Sequence, residues 1–220
     1  AVDVEALLGA EGALGAAPVP AADESIAYVC YTSGSTGRPK GVLVSRGSLA
    51  AYVTSNADAH VIDERSRVLL ASSVLFDPSI GEALTALFAG ATLCLPARAD
   101  TLNDLGGALR RSGATHVCST PALWSSLAAP GSPLPHLPAL QCVCLGGEAM
   151  TGALVRRWAA AVPLHNVYGV TECTVYQSSR RVRATVGGAA GAGGSRGEGG
   201  GEGGGGEGGG EGGGEGGSGA

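Results

Sequence analysis

The sequence predicts an α/β fold with a mostly parallel sheet built from β–α–β units. Short apolar runs rich in β-forming residues alternate with longer stretches that carry apolar residues at helical spacing. Glycine, proline and small polar residues separate the two kinds of segment, as expected for turns and helix caps. Ligands bind at the carboxyl ends of strands in such sheets, so the loops after residues 31, 145 and 167 are the expected positions of a site.

The predicted elements follow one another in the order that such units require. Strands are predicted at 26–31, 42–44, 67–72, 91–95, 115–119, 140–145 and 163–167, the first of them buried. Helices are predicted after Ser45 and at 77–89, 102–111, 121–127 and 151–161. Ser45 and Thr151 are expected to cap the helices that they precede. The helical pattern from Asp77 onward rests on the apolar residues Ile80, Leu84, Leu87 and Phe88.

Composition divides the chain in two. Residues 187–220 are mostly glycine and glutamate, and we expect disorder there because they cannot bury enough apolar surface to offset their ordering entropy. The net charge of −5 is concentrated in that run, so the rest is nearly neutral, which argues against nucleic-acid binding. No apolar run reaches the roughly 18 residues of a membrane span, and no signal peptide is evident. These features predict a cytoplasmic protein with free cysteines and with histidines that act independently.

The segment 32–41, with the sequence TSGSTGRPKG, is the strongest chemical signal. Hydroxyl groups, glycine amides and one lysine are the donors that a polyphosphate needs. The candidate phosphate ligands are Thr32, Ser33, Gly34, Ser35, Thr36, Gly37 and Lys40. A Walker P-loop is excluded, because Pro39 stands at its second glycine and Gly41 at the serine or threonine that would bind magnesium.

The run 26–42, IAYVCYTSGSTGRPKGV, resembles the phosphate-loop signature of adenylate-forming enzymes, and most closely that of the adenylation domains of nonribosomal peptide synthetases. Three later segments resemble further family motifs in the same order: FDPS at 76–79, LGGE at 145–148 and NVYGVTE at 166–172. The resemblance covers 25–180, which implies a partial AMP-binding domain from the centre of the family's large N-terminal domain. Residues 1–24 would then be a linker or a remnant of the part that precedes it.

The resemblance implies that an amino acid reacts with ATP, with Mg²⁺ bound, to give an aminoacyl-adenylate and pyrophosphate. Lys40, Thr171 and Glu172 would be the catalytic residues, with Thr171 on the α-phosphate and Glu172 on the magnesium ion. Tyr168 would stack on adenine opposite Gly146 and Gly147. The matching motifs also place Glu148, Asn166 and Gly169 at the nucleotide.

For the substrate, the resemblance implies that Asp77 pairs with the α-ammonium group. The pocket for the substrate side chain would be lined by Pro78, Gly81, Cys118, Cys144, Gly146, Val167, Val175 and Tyr176. These residues are uncharged and mostly small, which predicts a neutral substrate side chain. In full-length relatives a phosphopantetheinyl carrier domain would be a partner.

Three departures from the family pattern keep other functions open. Val170 replaces the usual proline of the 166–172 motif, which predicts a looser loop. The family's ribose-binding aspartate and C-terminal lid domain have no counterpart in this sequence, and Lys40 is its only lysine, so we expect the isolated chain to be strongly impaired. The alternatives are an acyl- or aryl-acid-activating ligase, which would have no use for an anion at Asp77, and a non-catalytic nucleotide-binding remnant.

Overall fold

The computed structural model describes residues 22–33, 37–127 and 136–183. The expected disorder of 187–220, most of the expected linker 1–24, and the candidate ligands Gly34, Ser35 and Thr36 lie outside these residues.

The chain first forms a two-stranded antiparallel ribbon of β1 (Ile26–Thr32) and β2 (Lys40–Ser45). Both strands were predicted, but the burial of β1 was not correct: Val29 and Tyr31 are exposed, and Cys30 is its only buried residue. The ribbon is separate from the larger sheet. The loop after residue 31 therefore joins two antiparallel strands, rather than following a strand of the parallel sheet as the sequence suggested.

A six-stranded sheet forms the centre of the fold. Its strands are β3 (Arg67–Leu69), β4 (Thr92–Cys94), β5 (His116–Ser119), β6 (Cys142–Gly146), β7 (Leu164–Tyr168) and β8 (Ser178–Val182). They lie in the order β4-β3-β5-β6-β7-β8, and every neighbouring pair is parallel except β7 and β8. The mostly parallel α/β fold is confirmed, whereas β8 was not predicted because its polar sequence carries no apolar run.

Six helices accompany these strands in the described part of the chain. They are α1 (Arg46–His60), α2 (Asp77–Phe88), α3 (Arg98–Asn103), α4 (Leu105–Ser112), α5 (Pro121–Ser125) and α6 (Gly152–Trp158). The single helix predicted at 102–111 is two helices, because the Asp104 carboxylate accepts a hydrogen bond from the Gly107 amide at 2.8 Å and starts a new helix. The predicted caps are confirmed: Ser45 accepts from Ser48 at 3.1 Å and Thr151 from Leu154 at 3.2 Å.

The main core packs α4, α5 and α6 against the sheet. Its centre is an edge-on contact between Trp124 and Trp158, whose rings lie 4.8 Å apart. Helix α2 instead buries a face rich in small and polar residues, while Leu87 and Phe88 are exposed. Within the part of the chain that the structure describes, no helix is long and apolar enough to cross a membrane.

Candidate active site

The carboxyl ends of β6 and β7 form one edge of the candidate site. Gly146 pairs with Val167, and a Cβ atom on Gly146 would lie 2.6 Å from the Val167 carbonyl oxygen, so only glycine fits there. Gly147 follows with a φ of 81°, a conformation that favours glycine. Tyr168 ends β7 with its side chain 65% exposed. This edge therefore presents an exposed tyrosine next to a glycine backbone.

Two other predicted nucleotide ligands lie on the same edge in different settings. The Glu148 carboxylate accepts a hydrogen bond from the Ala122 amide at 3.2 Å, so it fixes the start of α5. The Asn166 side chain is exposed on β7. Neither side chain touches Tyr168 through a hydrogen bond within the described residues.

The connection from β7 to β8 is tightly folded. It contains a 3-10 turn, Thr171–Cys173, followed by Thr174 and Val175 with φ values of 70° and 59°. Left-handed backbone is costly for β-branched residues, so surrounding contacts must hold it. The backbone of Gly169 packs directly against this segment. Only glycine allows this approach, because a Cβ atom at position 169 would overlap the Val175 carbonyl oxygen.

Gln177 holds this connection together. Its side-chain oxygen accepts a hydrogen bond from the Val170 amide at 2.8 Å, and its side-chain nitrogen donates to the Cys173 carbonyl at 3.0 Å. A proline at position 170 would lack the amide that makes the first bond. The valine thus supplies a hydrogen bond that opposes the loosening expected from the sequence. Gln177 was not among the predicted residues, because it lies beyond the recognised motif.

Asp77 links the segment between β7 and β8 to the start of α2. The Asp77 carboxylate is only 5% exposed, and it accepts hydrogen bonds from the Val175 amide at 3.3 Å and the Thr171 hydroxyl at 3.4 Å. Burial raises the pKa of Asp77, the two hydrogen bonds oppose this, and the negative charge of Glu172 adds to the rise. Asp77 of the motif at 76–79 therefore contacts Thr171 of the motif at 166–172 and the predicted pocket residue Val175, with Glu172 close by.

The ribbon of β1 and β2 lies next to the Asp77 cluster. Strand β2 packs beside the 3-10 turn Thr171–Cys173, and Lys40 begins β2 opposite Thr32. Burial, with a further contribution from the charge of Asp77, raises the pKa of Tyr28 on β1 to about 12. The ribbon, whose strand β2 begins at Lys40, therefore lies close to the Asp77 cluster.

Glu172 is exposed on the 3-10 turn, where a ligand can reach it. No group of three or more histidine, cysteine, aspartate or glutamate side chains among the described residues is placed to hold a metal ion. Magnesium in nucleotide sites is bound by one or two carboxylates together with phosphate oxygens and water, so a single carboxylate fits this ion.

Five of the predicted substrate-pocket residues line one small internal cavity: Pro78, Cys118, Cys144, Val167 and Tyr176. The Cys118 thiol donates to the Tyr176 hydroxyl at 3.5 Å, and burial raises the pKa of Cys118 to about 12. Cys142 and Cys144 lie in one cluster with Val167, as strand alternation predicts.

Sequence reasoning missed the other residues of this cavity wall, among them Tyr52 and Glu82. The Glu82 carboxylate accepts bonds from the Ala71 and Ser72 amides at 3.0 and 3.3 Å and from the Ser72 hydroxyl. Burial dominates over these bonds and raises the pKa of Glu82 to about 7. No sequence signal distinguishes Glu82 from an exposed helix glutamate, because its partners follow β3, ten residues earlier in the chain.

Three histidines meet at the amino ends of the strands, although the sequence suggested no link between them. The rings of His60 and His165 lie 4.9 Å apart, and the ring of His116 contacts the His60 carbonyl at 3.1 Å. Burial, and then the neighbouring His165 and His116, lower the pKa of His60 to about 4.

The mostly parallel α/β sheet, together with the motifs at 76–79, 145–148 and 166–172, assigns the chain to the adenylate-forming class of enzymes. Residues 2–192 match the family described as AMP-binding enzyme, and the chain belongs to that family.

Individual relatives agree with this assignment. The chain is 43% identical over 150 residues to the nonribosomal peptide synthetase resC of Aspergillus sclerotiorum, a match that covers 68% of this chain and 11% of the relative. It is 41% identical over 159 residues to CymA of Salinispora arenicola, a probable non-canonical nonribosomal peptide synthetase, with 72% of this chain and 2% of the relative covered. The chain therefore spans only a small part of the relatives that it matches.

Among solved structures, the Vibrio cholerae adenylation domain AlmE, in complex with glycyl-adenosine-5'-phosphate, superposes with a TM-score of 0.69. The sequence identity is 28%, and the match covers 86% of this chain and 35% of that one. The fold is thus that of the large N-terminal domain of adenylate-forming enzymes, present here in part.

Proposed function

We propose that this chain contributes the ATP- and amino-acid-binding part of an amino-acid-activating adenylation domain of the nonribosomal peptide synthetase type. The observation that carries the proposal is the contact of the Asp77 carboxylate with Thr171 and the Val175 amide. This contact supports the proposal, because the resemblance assigns Asp77 to the substrate ammonium group and Thr171 to the α-phosphate.

In the proposed reaction, separate residues bind the phosphates, the adenine and the amino acid. Lys40 and the loop donors hold the β- and γ-phosphates, Tyr168 holds adenine, and Asp77 orients the amino acid. A substrate carboxylate oxygen then attacks the α-phosphorus; the new O–P bond forms as the bond to the β-phosphate breaks, and pyrophosphate leaves with the electron pair. Glu172 would hold a magnesium ion, which would supply charge neutralisation for the phosphates. Positioning and charge neutralisation suffice for such a transfer without a nucleophilic side chain.

Binding of alanyl-sulfamoyl-adenosine, a stable analogue of an aminoacyl-adenylate, tests this proposal by calorimetry on the 220-residue chain. Saturable binding that ATP·Mg displaces is the expected result. No binding of any aminoacyl analogue would overturn the proposal.

Lys40→Ala is expected to weaken ATP·Mg binding by about tenfold to a hundredfold, because a hydrogen bond to a charged group contributes about 1.5–3 kcal/mol. The matched control is Arg65→Ala, which removes one positive charge from the exposed loop between α1 and β3. Equal losses of affinity in the two variants would show that Lys40 acts only through net charge.

We also expect the 220 residues alone to form adenylate slowly. Lys40 is the only lysine in the sequence and is assigned to the phosphates, whereas the family places a further lysine at the reacting carboxylate and α-phosphate. The measurement is amino-acid-dependent pyrophosphate exchange beside an intact adenylation domain. Matching rates would show that one lysine is enough. In a longer protein, a carrier domain would accept the activated amino acid.

A further inference from the structure

Gly81 leaves a gap on α2 that a tyrosine from another helix fills. A Cβ atom on Gly81 would lie 2.9 Å from the Tyr52 hydroxyl oxygen, 3.0 Å from the Tyr52 ring and 3.0 Å from a Val175 methyl group. Contacts this short force a shift of the neighbouring atoms. The Tyr52 side chain, on α1, therefore occupies the space into which a side chain at position 81 would extend.

Tyr52 also belongs to the wall that two spaces share, together with Asn56, His60, Val167 and Tyr176. One is the internal cavity lined by Pro78, Cys118, Cys144 and Tyr176, with a volume of about 40 Å³. The other is an outer cleft of about 530 Å³ that includes Glu172. Tyr52 lines both. Since a water needs roughly 10–15 Å³ of such volume, the internal cavity holds about three water-sized groups.

The charged and titratable groups of the cavity wall are already engaged. Both oxygens of Glu82 accept hydrogen bonds from Ala71 or Ser72. The ring of His60 bonds to Ser179 at 2.9 Å, and the ring of His116 bonds to the Thr115 hydroxyl at 2.7 Å. The other polar groups of the wall are uncharged: the Asn56 amide donates to the Thr85 hydroxyl at 3.1 Å, and Tyr52 and Tyr176 carry hydroxyl groups. The rest of the wall is apolar or thiol-bearing. A charged substrate side chain would therefore enter without a partner, which is costly in a buried site.

We infer that the site activates an amino acid with a small uncharged side chain, and that Tyr52 sets the upper limit of its size by filling the space beside Gly81. The inference rests on the proposed function, because it assigns the internal cavity to the substrate side chain. It adds a specificity-determining residue from α1 to a pocket whose other predicted walls come from α2, the sheet and the connection to β8.

The test is a size series of aminoacyl-sulfamoyl-adenosines, with glycyl, alanyl, leucyl and phenylalanyl groups, titrated into the 220-residue chain. The unaltered chain should bind the glycyl or alanyl analogue at least tenfold more tightly than the leucyl and phenylalanyl analogues, because a misfitting methylene is worth about tenfold or more in affinity. Equal or tighter binding of the large analogues would overturn the inference while leaving the proposed function intact. If no analogue binds, the proposed function itself fails, and the inference with it.

Three substitutions test whether Tyr52 sets the size limit. Tyr52→Ala should improve the binding of the leucyl analogue relative to the alanyl analogue at least tenfold, whereas Tyr52→Phe, which keeps the ring, should preserve the order of the series. Gly81→Ala should weaken all analogues in the original background and be better tolerated together with Tyr52→Ala, because both contacts of the Cβ atom with Tyr52 are then removed and only the contact with the Val175 methyl group remains. An unchanged size preference in Tyr52→Ala would overturn the role of Tyr52. If that variant does not fold, the order of the series in Tyr52→Phe and Gly81→Ala decides the same question.

Discussion

Asp77→Asn is expected to weaken the binding of alanyl-sulfamoyl-adenosine about 100-fold. The buried carboxylate accepts long hydrogen bonds from Val175 and Thr171 and a further one from its own backbone amide, although a carboxylate can accept about four. Burial already raises its pKa, so a cationic partner is needed to stabilise the ionised form. A loss of about 2.7 kcal/mol corresponds to 100-fold, and it lies within the range for a hydrogen bond to a charged group.

The amino group provides the control for this prediction. Propionyl-sulfamoyl-adenosine lacks the ammonium group, so its binding should hardly change in Asp77→Asn. Asp58→Asn, on the exposed side of α1, should leave the binding of both compounds close to that of the unaltered chain. If Asp77→Asn weakens both compounds equally, Asp77 holds the loop rather than the ammonium group. If the unaltered chain prefers the propionyl compound, the ligase acts on plain carboxylic acids instead.

The sequence predicted the positions of the strands more reliably than it predicted their burial. Apolar runs located seven of the eight strands of the described residues, because a buried parallel strand needs such a run. The same logic failed for the environment of β1, whose apolar residues Val29 and Tyr31 lie in a two-stranded ribbon with little to cover them. It also failed to find β8, whose polar residues pair at the edge of the sheet.

The buried face of α2 shows a second limit. Apolar periodicity located the helix, but the residues that it buries include Asp77, Glu82 and Thr85. Each is accommodated by a partner distant in sequence, such as the Asn56 amide that donates to Thr85 at 3.1 Å. Burial of a polar side chain depends on such partners, and a single sequence does not reveal them.

The motifs located the candidate site better than periodicity did. Asp77 lies nearly 100 residues from Thr171 and Val175 in the sequence, and the fold brings it into contact with both. Tyr52 and Gln177 escaped notice because they act through shape and through backbone hydrogen bonds. Many residue types could perform those roles, so no motif marks them.

The largest effect that a substitution is expected to have on the pH dependence of stability concerns Glu82. Its pKa is about 7 in the folded chain, against 4.5 for an ordinary glutamate. Between these values the unfolded chain has lost the proton while the folded chain keeps it, so rising pH favours unfolding. The free energy of unfolding should therefore fall by about 3 kcal/mol from this group between pH 4.5 and 7.

His60 works in the opposite direction. Its pKa is about 4 in the folded chain, against 6.5 ordinarily, so the unfolded chain binds the proton first as pH falls. Its contribution therefore strengthens the fold as pH rises from 4 to 6.5, again by about 3 kcal/mol. Burial also lowers the pKa values of His116 and His165, which act in the same sense as His60. The contribution of Glu82 thus offsets much of the histidine contribution between pH 4.5 and 6.5.

Glu82→Gln should remove this offset. The glutamine oxygen can accept from the Ala71 and Ser72 amides and its nitrogen can donate to the Ser72 hydroxyl, so the hydrogen bonds survive without an ionisable group. Urea unfolding at pH 4.5, 5.5, 6.5 and 7.5 should show the variant gaining about 3 kcal/mol relative to the unaltered chain as pH rises. Glu64→Gln, on an exposed loop, should follow the unaltered chain at every pH. Parallel profiles for Glu82→Gln and the unaltered chain would mean that Glu82 ionises normally, and that the cavity beside Tyr52 is wetter than its enclosing wall implies.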